Sequence, residues 1–71
     1  MNGKQTNAIC GSMVFLARMQ DLPAYLSNDD IRNSINVYVE ILDEANISEQ
    51  IINFFYLEAL DILNRREDLT K

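Results

Sequence analysis

Histidine and tryptophan are absent from this 71-residue sequence, and cysteine and proline each occur once. A single cysteine cannot form an internal disulfide, which excludes the disulfide-stabilised secreted mini-proteins. Zinc fingers need several cysteine or histidine ligands, and histidine-based catalysis needs an imidazole, so both are excluded as well. The two glycines are too few for a phosphate-binding loop. We therefore expect no catalytic residue, no cofactor and no metal site.

Basic residues are also scarce. The sequence has 6 of them and 11 acidic residues, which gives a net charge of −5. Nucleic-acid binding draws much of its affinity from cations that neutralise phosphates, so this balance disfavours a DNA or RNA partner. Long apolar runs are missing too. The stretch from Ala8 to Ala17 is too short to span a bilayer and is interrupted at Gly11 and Ser12. We expect no signal peptide and no membrane partner, and we expect a cytoplasmic protein.

What remains is a 48% hydrophobic chain, which is too apolar for a disordered tail. Its apolar residues recur at helical spacing in three segments, at about 6–20, 28–45 and 49–66. Leu22-Pro23 and Asn46-Ile47 separate these segments. The sequence therefore predicts one all-α, three-helix domain that covers the whole chain.

The starts of the second and third helices carry the clearest local signals. Ser27 is predicted to cap the second helix, with Asp30 as its capping-box partner. Ser48 is predicted to cap the third helix in the same way. Apolar residues flank both caps at the spacing of a hydrophobic staple. The staple pairs are Leu26 with Ile31 and Ile47 with Ile52.

Helices 2 and 3 each show an apolar stripe that is predicted to face the core. In helix 2 the stripe is wide, because Val37 and Ile41 lie beside it. The predicted core-facing residues are Ile31, Ile35, Tyr38, Val39, Leu42 and Ala45 in helix 2, and Ile51, Ile52, Phe55, Tyr56, Ala59, Ile62 and Leu63 in helix 3.

Helix 1 is apolar on nearly all sides, with only a narrow polar strip at Asn7, Gly11 and Arg18. A helix of this kind is buried on most sides, and a 71-residue domain has too little interior to cover it. We therefore predict a homodimer or a higher oligomer. Cys10 is expected to be a small buried residue. The predicted oligomer interface consists of Ile9, Met13, Phe15, Leu16 and Met19.

Phe54 and Leu57 interrupt the polar side of helix 3. They are three residues apart, so they are neighbours on one face, and Asn53 and Asp61 flank them. Such a pair with a polar rim is typical of a protein-binding hot spot. The competing interpretation is that helix 3 is central and that both residues belong to the core. A homodimer contact through this face satisfies both interpretations.

The polar side of helix 2 is strongly acidic, with Glu40, Asp43 and Glu44 close together. One interpretation is an ordinary solvated face. The other is an electrostatic surface for a basic partner, such as the nucleic-acid channel of an enzyme that the chain would block as a mimic.

The turn between helices 2 and 3 is similar in its residues to a helix-turn-helix. Ala45 precedes the turn, Asn46 tolerates a left-handed backbone, and Gln50 and Asn53 are amides that could contact adenine. However, no lysine or arginine lies nearby to hold a phosphate, and the preceding helix is acidic.

These observations predict a small non-enzymatic regulator that binds another protein, as an inhibitor, an adaptor or a chaperone-like subunit. Its mechanism would be occlusion of the partner's surface by Phe54, Leu57 and Asp61 and by the apolar surface of helix 1, assisted by the acidic face of helix 2. Tiny acidic chains of this kind are common among regulators encoded by phages and mobile elements. The alternative is a helix-turn-helix regulator that binds DNA.

Overall fold

The computed structural model describes residues 2–21 and 26–69, with side chains described as far as residue 66. The helices are α1 (Gly3–Met19), α2 (Asn28–Glu44) and α3 (Glu49–Leu69), and each packs against the other two. No strand occurs within these ranges, so the small all-helical, three-helix fold is confirmed. The predicted break at Leu22-Pro23 lies outside the described residues.

Helix α1 begins three residues earlier than predicted because a capping box fixes its start. The Gln5 amide donates to the Asn2 side-chain oxygen at 2.8 Å, and the Asn2 amide donates to the Gln5 side-chain oxygen at 3.3 Å. These bonds satisfy two amides at the helix start. The Gln5 side-chain amide also donates to the Asn46 carbonyl at 3.4 Å. The first turn of α1 is thereby joined to the turn between α2 and α3.

Short polar residues determine where α2 begins and ends. The Asp30 amide donates to the Ser27 hydroxyl at 3.1 Å, which confirms Ser27 as the cap. At the other end Asn46 has a positive φ of 60°, as its tolerance of the left-handed region predicts. Its amide donates to the Asp43 carbonyl at 3.0 Å, and the Ile47 amide reaches the Leu42 carbonyl at 3.1 Å. This pair of bonds is a Schellman motif, which ends the helix and redirects the chain into α3.

The core is a layer of aliphatic side chains around three aromatic rings, one from each helix. The rings of Phe15 and Tyr38 stack at 4.7 Å between centroids, and Phe55 lies 6.4 Å from Phe15 and 6.2 Å from Tyr38. Ser12 is fully buried in α1, where its hydroxyl donates to the Ile9 carbonyl at 2.8 Å. The buried apolar residues are Ala8, Met19, Ile31, Ile35, Leu42, Ala45, Ile47, Phe55, Ala59, Ile62 and Leu63.

Four residues that were expected to be buried, or beside the buried stripe, are exposed. Cys10 is exposed, because it lies two residues before the buried Ser12 and therefore on the opposite side of α1. Tyr56 follows the buried Phe55 and is rotated about 100° from it, which brings it to the edge of the core. Val37 and Ile41 are exposed for the same reason on α2. In a three-helix domain each helix buries a narrower stripe than its sequence predicts.

A side chain near the C-terminal end of α3 joins that helix to the segment before α2. Arg66 donates from its Nη2 to the Leu26 carbonyl at 2.7 Å, and this bond is partly buried. It ties the last turns of α3 to the residue before the Ser27 cap. Within the described residues, no helix combines the length and the apolar character needed to cross a membrane.

Candidate functional site

The outward face of α3 exposes two large apolar side chains. Phe54 is 54% exposed and Leu57 is 64% exposed, whereas Phe55 between them is fully buried. The helical repeat explains this alternation, because Phe54 and Leu57 lie on one side of α3 and Phe55 is turned toward the other two helices. The structure thus places both residues on the surface of the chain and excludes the interpretation that they belong to its core.

Polar residues border this apolar pair. Asn53 is exposed on one side, and Asp61 lies one helical turn beyond Leu57. Arg65 donates from its Nη2 to the Asp61 carboxylate at 3.0 Å, with both side chains mostly in solvent. An exposed ion pair of this kind adds little stability. It places charged groups one to two turns beyond Leu57, so that this end of the apolar pair has a polar border of the kind found around interface hot spots.

The acidic residues of the predicted site lie elsewhere. Glu40, Asp43 and Glu44 are exposed on α2, whereas Phe54 and Leu57 are on α3. The structure therefore separates the predicted partner-binding set into an apolar surface with Asp61 and an acidic surface on another helix. Exposed charges can also act on a partner through their field, without direct contact.

Most of the predicted oligomer interface packs on the chain itself. Met19 is buried in the core, and Ile9, Phe15 and Leu16 pack against that core as half-buried residues. Met13 is also half-buried. The apolar residues that α1 leaves exposed are instead Cys10, Val14 and Ala17, on the side opposite Ser12. Self-association stays a prediction.

An open groove of about 590 Å³ lies between α1 and α2. Three small residues, Ala8, Gly11 and Ala45, are among those that line it. A Cβ atom added to Gly11 would lie at an ordinary contact distance of 3.8 Å from the Tyr38 ring. Lys4 and Glu44 contribute one cation and one carboxylate to the groove. Its lining consists of Lys4, Asn7, Ala8, Gly11, Tyr38, Ile41, Glu44 and Ala45.

Within residues 2–21 and 26–69, no group of three or more cysteine, aspartate or glutamate side chains could hold a metal ion. Comparisons of the chain with protein-family models, curated proteins and solved structures gave no match.

Sequence reasoning missed two features that shape these surfaces. The capping box at the start of α1 has a readable signal, since Asn2 is followed three residues later by Gln5. The ring cluster of Phe15, Tyr38 and Phe55 has none, because it depends on how three separate helices are aligned.

Proposed function

We propose that this chain is a small non-enzymatic regulator that binds another protein and covers part of its surface. The observation that carries the proposal is the exposure of Phe54 and Leu57, side by side on α3. Fully burying a Phe or Leu side chain is worth about 1.5–3 kcal/mol, and roughly half of that remains unrealised at each position. A partner that covers both residues gains this free energy.

The acidic surface of α2 supports a role in the approach of a basic partner. Glu40, Asp43 and Glu44 concentrate negative charge on a chain that already carries −5. Charge on this scale raises the association rate of an oppositely charged protein and favours one orientation. In the proposed mechanism the field of α2 orients the partner and the apolar pair on α3 holds it. The proposal includes action in the cytoplasm and self-association into a homodimer or a higher oligomer.

The proposal is tested by capture of binding proteins from cells that produce the chain naturally. We expect the double substitution Phe54→Ser and Leu57→Ser to reduce capture at least about 30-fold, as loss of a hot spot does. The matched control is Val37→Ser, because Val37 is 52% exposed on α2 and close to Phe54 in exposure. Circular dichroism should give equal helicity for the wild type, the double variant and the control.

Two results would count against the docking surface on α3. Equal loss of capture in the Val37→Ser control would mean that exposed apolar residues act without specificity. Loss of helicity in the double variant would mean that Phe54 and Leu57 support the fold instead of a partner.

The DNA-binding alternative is favoured by one observation, which is the Schellman turn that leads into α3 with Gln50 and Asn53 exposed. Against it, the first turn of α3 carries Glu49, and the cations of α3, Arg65 and Arg66, lie near its other end. A gel shift at low salt separates the two functions, since tight and strongly salt-dependent binding of duplex DNA would favour the alternative.

A further inference from the structure

Helices α1 and α2 run in opposite directions on the two sides of the groove between them. Lys4 and Glu44 line the same groove, and further along α1 a Cβ added to Gly11 would lie 3.8 Å from the Tyr38 ring. Residue numbers therefore rise along α1 while they fall along α2. Lys4 is about level with Glu44, and seven residues further along each helix Gly11 is about level with Val37.

Each of the two helices carries a stripe of five residues on this side, at alternating spacings of three and four residues. Such spacing puts a stripe on one face of its helix and is that of a helix–helix contact seam. Of the six large apolar side chains that the described residues expose, three lie in these stripes, at 49%, 52% and 41% exposure for Val14, Val37 and Ile41. The stripe of α1 consists of Lys4, Asn7, Gly11, Val14 and Arg18, and the stripe of α2 consists of Asp30, Ser34, Val37, Ile41 and Glu44.

The charges at the ends of the two stripes are opposite in sign. The α1 stripe ends in Lys4 and Arg18, and the α2 stripe ends in Asp30 and Glu44. On each helix the two charges are 14 residues apart, which is about 21 Å along the axis. All four side chains are exposed, and none forms an ion pair within the described part of one copy. The α1 stripe of one copy therefore matches the α2 stripe of another in the sign and the spacing of its charges.

We infer that the chain forms a two-fold symmetric dimer in which α1 of each copy packs on α2 of the other. The axis is parallel to the helices, and the four helices form an antiparallel bundle. Lys4 of each copy meets Glu44 of the other, and Arg18 meets Asp30. This inference deepens the self-association included in the proposed function, on which it rests, and moves it from the interface predicted on α1 to the shared face of α1 and α2.

Side chains of different size face each other in this register. Val37 of one copy lies over Gly11 of the other, and Val14 lies over the smaller Ser34. Because Gly11 has no side chain, the branched side chain of Val37 can enter the groove above it. Burial of the exposed apolar side chains supplies the affinity. The ion pairs at the rim add little affinity and fix the orientation and the register.

Charge selects this arrangement over the other two-fold pairing of the same faces. An axis across the helices would put α1 on α1 and α2 on α2. Lys4 would then face Arg18, and Asp30 would face Glu44, so that like charges would meet at both ends of both stripes. Such juxtaposition suppresses a pairing. With the axis parallel to the helices, the same eight charges form four attractive pairs.

Reciprocal charge reversal, followed by sedimentation equilibrium at low salt, tests the pairing. The wild type should reach twice its chain mass of 8.2 kDa as its concentration rises. The first variant carries Lys4→Glu with Arg18→Glu, and the second carries Asp30→Lys with Glu44→Lys. Each variant places like charges opposite one another between copies. We expect each to raise the dimer dissociation constant about 10-fold or more, with the helicity of the wild type by circular dichroism.

An equimolar mixture of the two variants should restore the dimer, with one copy of each. Every reversed charge then meets its opposite, and native mass spectrometry identifies this heterodimer because the two variants differ in mass. Net charge supplies an internal control. Each reversal changes the net charge of −5 by two units, so the second variant carries only −1. Its copies repel each other less overall than wild-type copies do, so loss of its dimer is caused by the stripes themselves.

The substitution Gly11→Gln tests the apolar contact without weakening the helix, since glutamine favours a helix more than glycine does. A Cβ at Gly11 meets the Tyr38 ring at an ordinary contact distance, so the fold of one chain accepts it. The longer side chain occupies the space that Val37 of a second copy enters, and we expect the dimer dissociation constant to rise about 10-fold. The matched control is Gly3→Gln, because Gly3 lies on α1 outside the stripe with nothing within 4 Å of an added Cβ. This control should leave the constant unchanged.

Four results would overturn the inference. They are a wild-type chain that stays monomeric at all concentrations, a charge variant that dimerises as tightly as the wild type, a mixture that forms no heterodimer, and equal effects of Gly11→Gln and Gly3→Gln. None of these results depends on Phe54 or Leu57, which lie on α3 and bind with or without the dimer. Cross-links between two copies have twice the chain mass, which separates them from adducts with a different protein. Failure of the dimer is therefore distinguishable from failure of the docking surface on α3.

Discussion

Phe55→Ala should unfold most of the protein, whereas Phe54→Ala should leave it folded. Phe55 is fully buried, and its ring packs against the stacked pair of Phe15 and Tyr38. Truncation of a buried phenylalanine costs about 3–5 kcal/mol through lost burial and the cavity that remains. A core in a domain of this size supplies about 3–5 kcal/mol in total. The single substitution therefore removes most of the free energy of unfolding.

Phe54→Ala is the matched control, since it makes the same chemical change one residue earlier. Phe54 is more than half exposed, so its truncation should lower the free energy of unfolding by only about 1 kcal/mol, well below the loss at Phe55. Urea unfolding followed by circular dichroism measures both variants. Similar losses of stability in the two variants would mean that the outward face of α3 is part of the core, and the docking surface would be lost with it.

Reversal of the acidic surface should slow partner binding without unfolding the chain. The variant carries Glu40→Lys, Asp43→Lys and Glu44→Lys, and each reversal raises the net charge of −5 by two units. All three side chains are exposed, so packing is unaffected. For a basic partner we expect the association rate constant to fall about 10-fold or more at low salt. Stopped-flow binding with the captured partner measures the rate.

Ionic strength supplies the control for this experiment. Salt screens exposed charges beyond about 10 Å at 0.1 M, so the difference between wild type and variant should shrink as salt is raised. The dissociation rate should change little, since it depends mainly on the contacts of Phe54 and Leu57. An association rate that is unchanged at low salt would make the acidic surface of α2 an ordinary solvated face.

The sequence was informative wherever structure depends on residues close together in the chain. The Ser27 cap and the left-handed Asn46 were predicted correctly, because each depends on a few neighbouring residues. The buried stripe of α2 also followed from periodicity, since Ile31, Ile35 and Leu42 alternate with charged residues. By contrast, the start of α1 was predicted too late, although Asn2 and Gln5 carried the signal.

The candidate site was harder to predict, because its exposure depends on which sides of each helix are covered. Helix α3 has apolar residues on most of its circumference, so the sequence alone left Phe54 and Leu57 equally compatible with core and surface. The same ambiguity affected α1, where Cys10 was expected inside and is exposed. Which side of each helix is buried is decided only when the three helices pack together.

Site-specific photo-crosslinking at Asn53 tests most directly the claim that the outward face of α3 binds a protein. Asn53 is exposed beside Phe54 and Leu57, and a photoreactive side chain there leaves both in place. In cells that produce the chain naturally we expect a discrete protein adduct. It should disappear when Phe54→Ser and Leu57→Ser are added, and it should not form from the matched exposed position Asn33 on α2. An adduct that survives these substitutions, or the absence of any discrete adduct at Asn53, would contradict the account.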